Sequence, residues 1–423
     1  MDVVIIGLGY VGLPLAQEAV RVGLRVTGLD IKQATVDGLN AGRSHVDDLS
    51  DADIAAMLAG GFRAVTDVTE IAGGDPDVIV ICVPTPLSES DGPDLTAVRA
   101  ATETAATLVR PGCTVILEST TYPGTTDEIV RPMLEKASGL SAGIGFHLAF
   151  SPERIDPGNE VYGIRNTPKV VGGITPACTE AAAEFYGKVC DTVVRAKSAR
   201  EAEMAKLLEN TYRHVNIALV NEMAVFCREL GIDLHDAIRC AATKPFGFAP
   251  FYPGPGVGGH CIPIDPNYLS YKVRTLGYPF RFVELAQEIN SRMPGYVTDR
   301  AAGLLNQAGR AVNGARVLLL GVTYKKDIAD QRETPARPIA RKLRARGAVV
   351  AYHDPYVPSW QVDGEDVPRA GELAAAVAAA DLVILLQAHQ DYDLAEIAAT
   401  ARLLLDTRGL VPRTPAAPHV ETL

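Results

Sequence analysis

The segment Asp2-Val-Val-Ile-Ile-Gly7-Leu-Gly9-Tyr-Val-Gly12 decides the fold that we expect for this chain. Its apolar run predicts a short buried strand, and the periodic segment that follows, from Leu13 to Val22, predicts a helix. In such a strand–loop–helix unit the first glycine makes the turn and the second admits a pyrophosphate. The third glycine lets the helix pack on the strand. The order of these elements predicts a Rossmann-like dinucleotide site at Gly7, Gly9 and Gly12.

A carboxylate follows the second strand and indicates which dinucleotide binds. The strand Arg25-Val-Thr-Gly-Leu29 ends at Asp30, 18 residues past Gly12. A carboxylate at this place accepts hydrogen bonds from the adenosine ribose hydroxyls and repels a 2′-phosphate. The sequence therefore predicts NAD, rather than NADP, as cofactor.

Two further strands end in polar turns. Asp77-Val-Ile-Val-Ile-Cys-Val83 leads to Thr85, and Thr114-Val-Ile-Leu-Glu118 leads to Thr120. Ligands of a doubly wound sheet lie beyond the carboxyl ends of its strands, so both threonines are placed to contact the cofactor. Helix capping and turn formation are the alternative roles, because threonine favours both.

Composition excludes several classes of function. The 423 residues suffice for two or three domains, and 51 acidic against 40 basic residues give a net charge of -11. That balance argues against a nucleic-acid partner. An 18-residue apolar run is missing, so we expect a cytoplasmic protein without a membrane span or signal peptide. The seven scattered cysteines lack a C-x-x-C pattern, which argues against a metal site or a disulfide framework.

A long helix is expected from about Ala199 to Leu230, where neither Gly nor Pro interrupts the pattern. Lys206 and Asn210 lie four residues apart and share one face, with Arg213 nearby. Periodicity alone favours a solvated polar side for that face, and such a helix is also a natural dimerisation element. The residues expected on its buried face are Met204, Leu207, Leu208, Val215, Ala218, Leu219 and Phe226.

A second α/β segment begins near Ala315. Its strands are predicted at Arg316–Leu320, Val349–Tyr352, Leu382–Leu386 and Leu403–Leu405. The first strand ends in Gly321-Val-Thr-Tyr324-Lys325-Lys326, without the three-glycine pattern, so this half should bind something other than a whole dinucleotide. Tyr324, Lys325 and Arg332 are available for phosphates or a base, or are surface groups. The tail after Pro412 is Pro-rich and expected to be loosely ordered.

Together these patterns predict an α/β protein with two Rossmann-like, doubly wound parallel-sheet domains joined by a long central helix. The predicted domains are an NAD-binding region at 1–198, a central helical region at 199–300 and a second Rossmann-like region at 301–423.

The segment Pro253-Gly-Pro-Gly-Val-Gly-Gly-His-Cys261-Ile-Pro-Ile-Asp265-Pro266 lies at the hinge of this architecture. Glycine lets a ligand approach the main chain, and proline makes the path rigid. A cysteine held still and accessible suits a nucleophile, whereas a structural loop with a buried cysteine is the alternative.

Over nearly its whole length the chain resembles the UDP-glucose/GDP-mannose dehydrogenase family. The motifs that carry the resemblance are the glycine loop, Glu118-Ser-Thr120, Ser151-Pro-Glu153-Arg154, Lys206-Leu-Leu-Glu-Asn210, Gly258-Gly-His-Cys261-Ile-Pro-Ile-Asp265 and Lys325-Lys-Asp through Glu333. The resemblance implies a four-electron oxidation of a sugar C6 alcohol to a carboxylate, with two NAD used in succession. It also implies a UDP-sugar-binding role for the C-terminal region and a homodimer.

By the same resemblance Cys261 would form a thiohemiacetal and then a thioester. Lys206 and Asn210 would stabilise the oxyanion, while Glu153, Asp265 and a water would handle protons, and Thr120 would hold the water or the nicotinamide side. Lys206 is also expected to take the first alcohol proton. The expected NAD contacts are Gly7, Gly9, Tyr10, Val11, Gly12, Asp30, Thr85, Thr120 and Arg332. The expected contacts to the nucleotide sugar are Arg154, Ile155, Lys206, Asn210, Arg213, Gly258, Tyr324 and Lys325.

The predicted substrate is UDP-N-acetylglucosamine, because the loops at Ser151–Asn159 and Lys244–His260 resemble the branch of the family that acts on UDP-N-acetylhexosamines. Arg154 and His260 would offer donors to the acetamido carbonyl. UDP-N-acetylmannosamine is the first alternative and UDP-glucose the second.

Three other functions compete with this interpretation. A two-electron hydroxyacid dehydrogenase would share the glycine loop but would have no use for Cys261. The pattern Tyr268-Leu-Ser-Tyr-Lys272 matches short-chain epimerases, but it lies far outside the first sheet and is interpreted as accidental. An NAD-binding regulatory protein would need only the N-terminal half of the chain.

Overall fold

The structure, a computed structural model, describes residues 1–46, 48–71, 75–87, 92–156, 159, 161–259, 261–412 and 419–423. The chain forms two compact units. Unit 1 comprises Met1–Glu209 and Asn267–Tyr278, and unit 2 comprises Asn210–Pro266 and Pro279–Leu423. Two helices, α7 and α9, therefore begin in one unit and end in the other.

Unit 1 is built on one sheet with strand order β3-β2-β1-β4-β5-β6-β7-β8. The strands are β1 (Asp2–Ile6), β2 (Arg25–Leu29), β3 (Arg63–Val65), β4 (Val78–Ile81), β5 (Thr114–Leu117), β6 (His147–Phe150), β7 (Lys169–Gly173) and β8 (Val193–Arg195). Neighbouring strands are parallel except β6 and β7, which are antiparallel. All four residues of β4 and all four of β5 are buried, because helices cover both faces of the sheet.

The helices of unit 1 are α1 (Gly12–Arg21), α2 (Gln33–Asn40), α3 (Asp51–Ala59), α4 (Thr96–Leu108), α5 (Arg131–Ser138) and α6 (Pro176–Val189). A 3-10 turn spans Val68–Glu70, and a π-helical turn at Thr126–Val130 leads into α5. Apolar residues form a core on each face of the sheet, one around Ile5 and Val80 and the other around Ile79 and Leu117.

Unit 2 contains a second, parallel sheet with strand order β10-β9-β13-β14-β15. Its strands are β9 (Arg316–Leu320), β10 (Val349–His353), β13 (Leu382–Leu385), β14 (Leu404–Asp406) and β15 (Val420–Thr422), and β11 (Gln361–Val362) with β12 (Glu365–Asp366) forms a separate antiparallel pair. The remaining helices of the chain are α7 (Ala199–Glu229), α8 (Leu234–Ala241), α9 (Asp265–Thr275), α10 (Arg281–Gln307), α11 (Ala336–Ala345), α12 (Leu373–Ala379) and α13 (Leu394–Thr400).

The predicted fold class is confirmed, since the two α/β units and the long helix α7 are all present. One expectation about detail is wrong, and two strands were not anticipated. The expected loose tail after Pro412 includes β15, which pairs in parallel with β14 because its backbone completes the edge of the sheet. Strands β7 and β8 had no counterpart in the sequence analysis.

The predicted buried face of α7 is right only in part, since Leu207 and Ala218 are buried and Val215 is half-buried. Met204, Leu208, Leu219 and Phe226 were expected to be buried but are between 39% and 59% exposed. The face with Lys206 and Asn210, for which periodicity favoured solvent, is buried, with each residue 5% exposed. The reason is that polar groups from distant segments pair with that face.

Candidate active site

The glycine loop between β1 and α1 has room for a ligand beside its second glycine. A Cβ on Gly7, whose φ is +94°, would lie 2.6 Å from the carbonyl oxygen of Cys82, and one on Gly12 would lie 1.9 Å from the carbonyl oxygen of Gly7. A Cβ on Gly9 would meet no atom within 4 Å. The first turn of α1 carries no acidic residue, so its N-terminal end can receive a pyrophosphate.

The other expected NAD contacts of unit 1 surround this loop. Tyr10 and Val11 are half-buried and pack against the core. The Asp30 carboxylate accepts hydrogen bonds from the backbone N–H groups of Leu8 at 3.0 Å and Lys32 at 2.9 Å. These bonds fix a negative charge at the carboxyl end of β2, which is where an adenosine ribose is expected.

The strand-end threonines of unit 1 are joined to each other. Thr85 is buried, and its hydroxyl donates to the carbonyl oxygen of Thr120 at 2.8 Å. The Tyr268 hydroxyl donates in turn to the carbonyl oxygen of Thr85. Lys272 pairs with Glu128 at 2.7 Å. The Tyr-x-x-x-Lys pattern therefore takes part in contacts that hold α9 to unit 1.

A buried ion pair lies in unit 1 beyond β6. The Nζ atom of Lys206 is 3.1 Å from Oε2 of Glu153 and donates to the backbone carbonyl of Glu153 at 2.6 Å. Their side chains are only 6% and 10% exposed. Because water is largely excluded here, the charges of this pair interact strongly with any polar group that binds beside them.

The residues after Glu153 are held in place by the same part of unit 1. Ile155 donates its backbone N–H to the Glu153 carboxylate. The Arg154 guanidinium donates to the carbonyl oxygen of Pro168 at 2.6 Å and to the Glu209 carboxylate at 2.7 Å. These two hydrogen bonds fix the orientation of the Arg154 guanidinium.

In unit 2, Asn210 and Asp265 form the second buried polar pair. Nδ2 of Asn210 donates to Oδ2 of Asp265 at 2.6 Å, and the two residues are 5% and 2% exposed. Cys261 is half-buried, and its carbonyl oxygen accepts the backbone N–H of Asp265 at 2.8 Å. The cysteine thus sits one turn before α9, whose first residue is the buried acid.

The approach to Cys261 is packed against the turn after β9. Cβ atoms on Gly258 and Gly259 would lie 2.8 Å and 2.7 Å from the side chain of Tyr324. The backbone N–H of Gly259 donates to the carbonyl oxygen of Arg332 at 3.1 Å. Unit 2 therefore packs Gly258 and Gly259 against Tyr324 and joins Gly259 to Arg332.

The remaining predicted residues of unit 2 are placed as follows. The Arg332 guanidinium forms a two-pronged contact with the Asp330 carboxylate at 2.6–3.0 Å. Lys325 is half-buried, and its carbonyl oxygen accepts the hydroxyl of Thr323. Arg213 is exposed on α7. His260 lies outside the described residues.

Sequence reasoning missed two buried clusters in unit 1. Glu118 accepts from Lys169 and, at 2.7 Å, from the Tyr186 hydroxyl, and burial raises the pKa of that tyrosine well above its ordinary value. On α7, Glu203 accepts from the backbone of Gly124 and from Thr126, and burial raises its pKa to about 7. The sequence signal for Glu203 was its position, because it is a charged residue about one helical turn before Lys206.

An open space at Gly9, a carboxylate held at the carboxyl end of β2 and a buried ion pair beyond β6 are features expected of an NAD-dependent oxidoreductase. Among the described residues, no helix is both long and apolar enough to cross a bilayer.

Comparison with known proteins identifies the family. Residues 1–190 match the NAD binding domain of the UDP-glucose/GDP-mannose dehydrogenase family, residues 200–292 its central domain and residues 318–413 its UDP binding domain. The chain belongs to this family and is an NAD-dependent nucleotide-sugar dehydrogenase.

Three relatives illustrate the similarity. The chain is 37% identical over 362 residues to a UDP-N-acetyl-D-glucosamine 6-dehydrogenase of Pseudomonas aeruginosa, covering 84% of this chain and 83% of the relative. It is 34% identical over 425 residues to a UDP-N-acetyl-D-mannosamine dehydrogenase of Pyrococcus horikoshii, covering 98% and 97%. A solved structure of a UDP-D-ManNAc dehydrogenase from Pyrococcus horikoshii superimposes with a TM-score of 0.90 at 31% identity, covering 100% and 99%.

Proposed function

We propose that this protein oxidises the C6 alcohol of UDP-N-acetylglucosamine to a carboxylate through a thioester on Cys261. The observation that carries the proposal is the arrangement in unit 2 of a half-buried cysteine one turn before Asp265, whose carboxylate is fixed by Asn210. A two-electron dehydrogenase has no use for a nucleophile, whereas an aldehyde that must be oxidised again has to be trapped first.

The proposed reaction has four steps. C6 loses a hydride and its hydroxyl loses a proton, which gives an aldehyde. The Cys261 thiolate adds to the aldehyde carbon, and loss of a second hydride from the thiohemiacetal leaves a thioester. Water then cleaves the C–S bond and releases the carboxylate and the thiol. Bound NAD supplies the hydride acceptor in both oxidations, so that one sugar and one water yield two NADH and three protons.

The buried polar groups have matching roles in this scheme. Lys206 supplies a positive charge and Asn210 an amide donor for the oxyanion, and one such donor is commonly worth about 3–4 kcal/mol. Lys206 takes the proton of the C6 alcohol, and Glu153, which pairs with Lys206, and Asp265, which accepts from Asn210, handle the remaining protons together with a water. Thr120 orients the reacting groups at the end of β5.

UDP-N-acetylmannosamine is the second candidate substrate. The Pyrococcus horikoshii relative matches 98% of the chain, more than the 84% matched by the Pseudomonas aeruginosa relative, although its identity is lower. The two sugars differ only in configuration at C2, so groups that recognise the acetamido function could serve either.

A substrate panel tests the proposal. The purified protein is incubated with NAD and each of UDP-N-acetylglucosamine, UDP-N-acetylmannosamine, UDP-glucose and GDP-mannose, and kcat/KM and NADH per sugar are measured. We expect two NADH per sugar and the highest kcat/KM with UDP-N-acetylglucosamine. A preference for the manno epimer would select the second candidate, and a preference for UDP-glucose would refute the assignment to N-acetylhexosamines.

We also propose that the protein is a homodimer formed through unit 2. Tyr212, Leu219 and Phe226 recur every seven residues on α7 and are 45–53% exposed, and Phe246 is 71% exposed. In a two-fold symmetric dimer the same surface of each subunit faces its counterpart, so this apolar stripe would pack against the identical stripe of a second copy. Light scattering should give a dimer that Leu219→Arg dissociates, whereas Ile144→Arg, at an exposed apolar residue of unit 1, should not. A monomeric wild-type protein would refute the dimer.

A further inference from the structure

Two buried asparagines connect α7 with α10 in unit 2. Asn221 and Asn290 are 0% and 4% exposed. Nδ2 of Asn221 donates to Oδ1 of Asn290 at 2.9 Å, and Nδ2 of Asn290 donates to the carbonyl oxygen of His214 at 3.4 Å. The remaining oxygen, Oδ1 of Asn221, accepts the backbone N–H of Gly254 at 2.9 Å. One amide thus faces a helix partner on one side and the Gly/Pro loop on the other.

Gly254 depends on this contact because of its neighbours. Pro253 and Pro255 have no N–H, so Gly254 carries the only backbone donor of that tripeptide. The glycine is buried, and a buried N–H without an acceptor is costly. The Asn221 oxygen therefore determines where this part of the loop can lie.

The loop that carries Cys261 is tied to α7 at both of its ends. Asn221 binds Gly254 where the loop begins, and Asn210 binds Asp265 where the loop passes into α9. Asn210 and Asn221 are 11 residues apart on one helix, or about three turns. A rigid helix thus sets the distance between the two attachment points, and the prolines limit the paths that the chain between them can take.

We infer that Asn221 is a positioning residue for Cys261: through Gly254 it fixes the loop so that the thiolate can reach the aldehyde carbon. The inference rests on the proposed function and extends it to a buried residue whose side chain is bonded to Asn290 and Gly254. Its consequence is specific, because the first oxidation does not need the cysteine. Loss of the tie should impair trapping of the aldehyde more than formation of the aldehyde.

Asn221→Leu and Asn290→Leu form a matched pair that tests this inference. Asn221→Leu leaves Asn290 Oδ1 and the Gly254 N–H without this partner, and Asn290→Leu leaves Asn221 Nδ2 without it, while the His214 carbonyl keeps its bond within helix α7. Both melting temperatures should fall, that of Asn221→Leu by the larger amount, so the test compares NADH per sugar as well as stability. Only Asn221→Leu breaks the tie to the loop. Asn221→Asp, which keeps an oxygen facing Gly254, is the conservative variant.

For each protein, acid formation, NADH per sugar, KM for the UDP-sugar and aldehyde captured by semicarbazide are measured. A misplacement of the thiol should lower acid formation by about 10²-fold in Asn221→Leu. NADH per sugar should then fall from two towards one, with captured aldehyde and a KM close to wild type. Asn290→Leu should retain most of its acid formation, and Asn221→Asp should recover most of it.

Equal losses of acid formation in the two leucine variants, with two NADH per sugar in both, would overturn the positioning role and leave Asn221 a stabilising residue. Failure of Asn221→Asp to recover acid formation would overturn the role as well, provided that this variant melts like the wild type. A wild-type protein that forms no acid from any UDP-sugar would instead refute the proposed function, so the two failures are distinguishable.

Discussion

Breaking the Lys206–Glu153 pair tests whether these residues serve catalysis or the stability of unit 1. In Lys206→Met the Glu153 carboxylate, only 10% exposed, loses the ammonium that lies 3.1 Å away. Leaving one charge of a buried pair uncompensated typically destabilises a protein by about 3–5 kcal/mol. For a unit of this size, 1 kcal/mol shifts the melting temperature by about 2–4 °C, which gives a fall of about 6–20 °C.

The double variant Lys206→Met/Glu153→Gln separates the two roles. It removes both charges and keeps side chains of similar volume, so most of the lost stability should return. Activity should not return, because the oxyanion loses a donor worth about 10²–10³ in kcat in the single and the double variants alike. Melting by calorimetry and steady-state NADH formation provide the two measurements.

Either of two outcomes would refute this reasoning. If the double variant regained activity along with its melting temperature, the pair would be structural. If Lys206→Met kept the wild-type melting temperature, the pair would not be buried as the geometry requires. Arg131→Met, which removes one partner of an exposed pair with Glu135, is the control for loss of charge alone and should change neither quantity.

Three further predictions follow from single residues. Cys261→Ala should abolish acid formation and leave NAD binding, measured by calorimetric titration, intact; two NADH per sugar from this variant would exclude the thioester. Asp30→Asn keeps an acceptor oxygen but removes the charge that repels a 2′-phosphate. The ratio of kcat/KM for NADP to that for NAD should rise about 5-fold or more, since such a like-charge contact is worth on the order of 1–4 kcal/mol, and an unchanged ratio would contradict the role of Asp30. Glu203, with its pKa raised by burial to about 7 from 4.5, favours folding most when protonated. Its contribution is fully present below pH 4.5 and is lost as the pH rises through 7, so Glu203→Gln should flatten the decline of unfolding free energy between about pH 5 and pH 8; parallel curves would show that this carboxyl does not control it.

The sequence was sufficient for those parts of the fold that depend on local patterns. The glycine loop, the buried run of β4 and the uninterrupted length of α7 each carry a signal within a few residues. Strands β7 and β15 carry no comparable signal. Their pairing with β6 and β14 is decided by neighbours that lie far away in the chain.

The candidate site shows the same limit more clearly. Motif resemblance selected Lys206, Asn210 and Asp265, but periodicity placed the first two on a solvated face. Helical spacing reports that residues share a face and does not report what covers it. That face is buried because Glu153 and Asp265, more than 50 positions away, satisfy its polar groups. Asn221 was missed for the same reason, since its partners lie on α10 and in the Gly/Pro loop.

The return of Asn267–Tyr278 into unit 1 has a consequence for how the protein is made on the ribosome. Contacts such as Tyr268 to Thr85 and Lys272 to Glu128 cannot form when Glu209 has just been translated. At about 5–20 residues per second, the 69 residues from 209 to 278 delay their formation by about 3–14 s. During that interval the nascent first sheet lacks the contacts that Tyr268 and Lys272 make with it. A fragment ending at residue 198 would lack these contacts permanently.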